Sequence, residues 1–64
     1  MFGVGSYVKV REGVSGAEGL EGSLCQVVGV QGALRDIRRV DASTEALSGI
    51  SVRFVASELE QADR

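Results

Sequence analysis

Histidine, proline and tryptophan are absent from the chain, cysteine and methionine occur once each, and the aromatic rings are one Tyr and two Phe. Without histidine, no side chain has an ordinary pKa near neutrality for general acid-base work. A single thiol, Cys25, forbids an internal disulfide and, with no imidazole to join it, removes the usual nitrogen and sulfur ligands of a structural zinc site. No apolar run approaches the roughly 20 residues that cross a bilayer. Charge of one sign is also missing: seven basic and nine acidic residues leave a net charge of −2, with no overall pull toward nucleic acid or anionic lipid. We therefore expect no catalytic residue, no metal and no cofactor.

At 64 residues the chain is expected to be one domain, residues 1–64, close to the length below which a core without disulfide or metal no longer holds a fold, so self-association is a natural route to further burial. Cys25 in an apolar run suits a reduced, buried thiol, and the start Met1-Phe2-Gly3-Val4 lacks a charged segment followed by an apolar one. Both features point to a cytoplasmic protein that is neither secreted nor membrane-bound.

Nine glycines and frequent valine indicate short strands joined by tight turns. Val4, Ser6, Val8 and Val10 alternate with Gly5, Tyr7, Lys9 and Arg11, which predicts a strand with its valines inward and Tyr7, Lys9 and Arg11 outward. Gly13, Gly16, Gly19 and Gly22 then recur at every third position among Glu12, Glu18 and Glu21, as a long acidic surface loop. Four such glycines without proline are too few for a collagen helix, and no Lys-Ser/Thr pair follows to make a phosphate loop. Residues 24–30 are apolar on both faces, as a central strand with a bend or bulge at Gly29.

After the turn signal Gln31-Gly32 two readings are open. A returning strand at about Arg38 to Ser43 completes a sheet, whereas Leu34, Ile37 and Val40 at spacing three would fit a short helix from Ala33 to Val40. We favour the strand. Thr44 to Gly49 reads as a turn or a single helical turn. Residues 50–55 alternate again, with Ile50, Val52 and Phe54 on one face, and residues 56–60 suit one helical turn capped by Ser57, with Leu59 plugging the core and a frayed end beyond. The expected core is Phe2, Val8, Val10, Leu24, Val28, Val52, Phe54 and Leu59.

The fold class is thus all-β, with about five short strands, a long glycine-rich loop after the first and one short helical turn near the C-terminus. This order of elements resembles small SH3-like barrels. Val8-x-Val10-x-x-Gly13-x-x-Gly16 and Gly22-x-Leu24-x-x-Val27 further resemble the KOW-type module, which implies nucleic-acid binding, although Ser15 stands where that motif usually carries a basic residue. Residues 2–8 and 51–60 resemble the plasmid-borne trimethoprim-resistant dihydrofolate reductases, which implies an enzyme on an oligomeric barrel. That family's Val-Gln-Ile-Tyr is here Val52-Arg53-Phe54-Val55. Gly5, Val8, Val10 and Ser57 to Glu60 are similar to small barrel subunits that dock on photosynthetic electron-transfer complexes and are not catalytic.

The candidate binding residues are Tyr7, Lys9 and Arg11, an aromatic-basic strand face of the kind that tracks a single nucleic-acid strand, and Arg35, Arg38, Arg39 and Arg53, the one basic concentration, able to hold phosphate or carboxylate if some share a face. Asp36 and Asp41 lie among these arginines, and ion pairing with them is the plainer account. The acidic loop lies where signalling SH3 domains bind basic proline-rich peptides, but the aromatics such a groove needs are lacking. The functional expectation is a non-catalytic small barrel that serves as a docking or assembly module for a protein partner or a second copy. A KOW-like nucleic-acid-binding module, disfavoured by the acidic balance, is the first alternative, and a reductase-like enzyme the second.

Overall fold

A computed structural model describes residues 2–17, 20, 22–41, 43–44 and 46–62. Strands β1 (Tyr7–Val10), β2 (Cys25–Gln31), β3 (Leu34–Arg39), β4 (Val52–Val55) and β5 (Leu59–Gln61) form one antiparallel sheet in the order β4-β3-β2-β1-β5. The architecture is all-β, and a 3-10 turn at Ala56–Glu58 is the one helical element among the described residues. None of these elements is a helix long and apolar enough to cross a membrane.

In β1 the alternation holds for Val8 and Val10, both buried, with Tyr7 and Lys9 on the opposite face. It fails for Val4, which is 68% exposed. The chain turns ahead of the strand: Ser6 N–H donates to Gly3 O at 3.0 Å, and Gly5 takes a φ of 94° that a residue with a Cβ rarely adopts.

The bend expected at Gly29 is a register slip. Val27 pairs with Ile37, but Gly29 pairs with Asp36, so Val28 is the extra residue of a bulge. Val27, two residues from the buried Cys25 and ahead of the slip, takes the core position expected of Val28, which is half-buried. Beyond the bulge, Gln31 pairs with Leu34 across a two-residue turn in which Gly32 has a φ of 58°.

Because the turn is that short, the chain re-enters the sheet at once. The third strand is therefore Leu34–Arg39 rather than residues 38–43, and no helix forms over residues 33–40. Leu34 and Ile37 point to opposite faces of it. Past Val40, Asp41 closes a tight turn, its Oδ1 accepting from Ser43 N–H at 2.8 Å, Ser43 Oγ at 2.7 Å and Thr44 N–H at 3.2 Å. Val40 then bridges Leu47, and Ile37 pairs with Val52. Arg38 and Arg39 thus face Ser48, Gly49, Ile50 and Ser51, more chain than they can pair with. Ile50 bulges outward, 75% exposed, instead of joining Val52 and Phe54.

At the C-terminal end Leu59 plugs the core, 1% exposed. The 3-10 turn is capped by Glu58, whose Oε1 accepts from Val55 N–H at 2.9 Å, and Ser57 makes no capping bond. The end of the chain is less frayed than its polarity suggested: β5 pairs with β1, Ala62 N–H donates to Tyr7 O at 3.0 Å, and Ala62 is buried. Asp63 and Arg64 lie outside the described residues.

The glycine-rich segment is more than a surface loop. Ala17 is completely buried in the cluster of Val8, Val10, Cys25, Val27, Ile37, Phe54 and Leu59, and Val14 and Leu20 pack against it. Phe2 and Val52 do the same, and Leu24 is half-buried. Gly13, Gly16 and Gly22 have φ of 82°, 82° and 76°, and these left-handed turns let the loop dip inward. Glu18, Gly19 and Glu21 lie outside the described residues.

A loop that supplies core has a measurable signature. Ala17→Glu would bury an unpaired carboxylate and should unfold the domain or lower its urea midpoint severely, while Ser15→Glu, at an exposed position of the same loop, should stay within about 0.5 kcal/mol of the parent. Equal effects of the two substitutions in equilibrium denaturation would contradict the buried loop.

Candidate functional site

Strand register decides which candidate residues meet. Tyr7 pairs with Gln26, and Gln26 with Arg38, so the three form a row across β1, β2 and β3 on the face away from the core. Lys9 lies two residues along β1 from Tyr7 on the same face and is opposed on β5 by Glu60. A second row joins Gly29, Asp36 and Arg53, and a third Gln31, Leu34 and Val55. The face therefore carries an aromatic ring, an amide, cations, carboxylates and apolar groups, with no helix laid over it among the described residues.

Within this face Arg53 is committed to Asp36, its Nε donating to Oδ1 at 2.9 Å, and this contact raises the guanidinium pKa, mainly through the hydrogen bond. Gln26 Nε2 donates to Gly5 O at 3.2 Å. Arg38 differs: its Nε is buried and has no hydrogen-bond partner. A buried donor without an acceptor is uncommon enough to need a cause. Arg11, beyond the end of β1, is exposed but turned to the chain end, its Nε donating to Leu59 O at 3.2 Å and its N–H to Glu58 O at 2.9 Å.

Arg35 and Arg39 do not join Arg38 and Arg53, because they alternate to the other side of β3. Arg35 is buried, 6% exposed, and its Nε donates to Phe2 O at 2.5 Å, with Nη1 donating to Gly32 O at 2.6 Å and Leu34 O at 2.9 Å. These carbonyls replace water around the cation and tie the N-terminal segment to the hairpin. Its reading as a surface binding group is thereby corrected to an internal tie.

Arg39 is exposed at the rim, between shallow clefts lined on one side by Ser23, Leu24 and Ser43 and on the other by Ala46, Leu47 and Ser48, with Asp41 common to both. Asp41 has its pKa held below the ordinary carboxylate value, first by the Ser43 hydroxyl, then by the Ser43 and Thr44 amides, and least by Arg39. Cys25 pairs with Arg39 in register, but burial pushes its thiol pKa up and the arginine only partly opposes this. A protonated, enclosed thiol is a poor nucleophile. Among the described residues no group of three or more Cys, Asp or Glu side chains could hold a metal ion.

Gln26 and Asp36 belong to this face and were not among the residues singled out from sequence as binding groups. Gln26 sits in an apolar strand where alternation marks it as outward. Asp36 was expected only as an ion-pair neighbour of the arginines, and that Arg53 is its partner follows from the pairing of β3 with β4. No protein-family model, curated protein or solved structure matches this chain.

Arg35→Met keeps the volume and removes the donors, so it should cost about 1–3 kcal/mol in chemical denaturation and free the amides of residues 3–6 to hydrogen exchange. Unchanged stability would show that the carbonyls do not need the guanidinium. For Asp41 the folded carboxyl is the stronger acid, so its stabilising contribution is present above the unfolded pKa and is lost as pH falls through the folded one. The Ser43 and Thr44 amide resonances should titrate with a midpoint below the ordinary value of about 3.9. Ser43→Ala should raise that midpoint more than Arg39→Ala does, and the reverse order would make the ion pair the main cause.

Proposed function

We propose that this chain is a non-catalytic, SH3-like module that docks a protein partner through the outer face of its sheet, with Tyr7 and Arg38 as anchors. The observation that carries the reading is the single row of Tyr7, Gln26 and Arg38 across the outer face, each of them only partly buried. Tyrosine and arginine are the residue types that most often anchor protein interfaces, and Leu34 and Val55 add apolar area to the same face. The SH3-like reading is supported by the strand order β4-β3-β2-β1-β5 and by the 3-10 turn that joins β4 to β5.

Nucleic-acid binding is the second reading, favoured by the sharing of one face by Tyr7, Lys9 and Arg38. Against it stand Glu60 opposite Lys9, Asp36 beside Arg53 and the net charge of −2.

Affinity capture from extracts of the source cell, compared between the parent and single variants, separates these readings. Tyr7→Ala and Arg38→Ala should each deplete the same captured protein by roughly ten-fold or more, as interface anchors do, while Glu12→Ala should not. Retention of that protein by both variants would remove the outer face as its docking surface. Low-salt titration with single-stranded oligonucleotides is the counter-test: tight binding that falls steeply with salt would replace the protein-docking reading by the nucleic-acid one.

A further inference from the structure

The sheet has an open edge at β4, the strand at the end of the strand order, which among the described residues pairs on one side only. Ala56 N–H donates to Ala33 O at 2.8 Å, which sets the parity of the strand. Val52 and Phe54 turn their main-chain groups to β3, so Arg53, and Ser51 before it, turn theirs outward. Val55 would do so as well, but Glu58 already accepts its N–H at 2.9 Å. The open edge is therefore short and ends at the Glu58 carboxylate.

Proteins commonly guard such an edge with a charged side chain standing on it. Here the one cation on β4 is drawn back over its own sheet, Arg53 Nε lying 2.9 Å from Asp36 Oδ1. Beside the open groups stands Ile50, 75% exposed, and past them Val55, 40% exposed. The edge thus presents unpaired main-chain groups with apolar side chains next to them.

We propose that a second copy of this chain adds to the β4 edge in antiparallel register about a two-fold axis at Val52. In that register Val52 faces Val52 of the partner subunit and Ser51 exchanges main-chain hydrogen bonds with Arg53 of the partner subunit, with the exposed Ile50 of each copy beside the seam. Charge selects this register over its neighbour, since an axis at Arg53 would set two guanidiniums directly opposite each other. The Glu58 cap selects it as well, because an axis further along the strand would drive the partner's backbone into that carboxylate. The exposed Ile50 then flanks the seam, where part of its apolar surface is covered by the second copy. A seam this short buries less than the roughly 1,200 Å² of a stable interface, so the dimer is weak and forms as concentration rises. It uses the edge of the sheet and leaves the Tyr7–Gln26–Arg38 face free, so it stands apart from the docking reading.

Sedimentation velocity of the whole chain from micromolar to millimolar concentration, with amide NMR on the same samples, tests the proposal. The sedimentation coefficient should rise with concentration while the Ser51 and Arg53 amides shift and gain protection from exchange. Arg53→Pro removes the outward N–H and spares the bonds to β3, and should abolish the association. Ile50→Lys, at an exposed position that does not test the fold, should also abolish it, and decides the matter if Arg53→Pro does not fold. Tyr7→Ala should dimerise like the parent. A parent chain that stays monomeric at millimolar concentration, association that survives Ile50→Lys, or shifts centred on β5 or the outer face would each overturn the β4 pairing.

Discussion

The bulge in β2 sets the arrangement on which the rest of the sheet depends. One extra residue, Val28, moves Gly29 opposite Asp36. A Cβ on Gly29 would stand 3.0 Å from Asp36 Oδ2, so a larger residue there would push the carboxylate aside by a few tenths of an ångström. From there Asp36 reaches Arg53 on β4, and the contact holds the arginine over its own sheet and away from the strand edge. Backbone register, one glycine and one ion pair are thus links in a single chain of cause. An exposed pair of this kind adds little stability; its consequence lies in where it holds a side chain.

The same slip governs the core. Cys25 and Val27 face inward before it, and Val30 and Arg35 share a row after it. A chain of this length has few large apolar side chains, and it fills the remaining space with what lies at hand. Ala17 comes from a glycine-rich loop, Ala62 from the chain end, and the aliphatic stem of Arg35 from β3, its guanidinium solvated by backbone carbonyls. Loop, terminus and hairpin are therefore parts of one core, and the segments that look peripheral in composition are needed for its closure.

The proposed docking and self-association would both use surfaces rather than a pocket. Cys25 is enclosed with its thiol protonated, Asp41 is occupied by its own turn, and Arg35 is spent internally. What remains available is a mixed face centred on Tyr7, Gln26 and Arg38 and a short open edge at Ser51 to Arg53. The row Tyr7–Gln26–Arg38 lies on β1 to β3 and the open edge on β4 next to it.

Much of the fold was legible because strand alternation, glycine turns and the need to bury valine are local properties of the chain. The all-β class, the first strand at Val8 and Val10, the bend at Gly29 and the plugging by Leu59 follow from a few neighbouring residues each. The candidate site was legible only as a set of residue types. Tyr7 and Arg38 meet across Gln26, Arg35 and Arg39 turn away from Arg38 and Arg53, and Ile50 is expelled between Val40 and Val52, and each of these outcomes rests on pairing between segments far apart in the chain. A shift of one residue in a strand moves every side chain to the opposite face. Composition by itself determined a small all-β fold with neither histidine nor an internal disulfide; which arginines share a face was decided by the bulge and the two-residue hairpin, because only tertiary pairing sets the register.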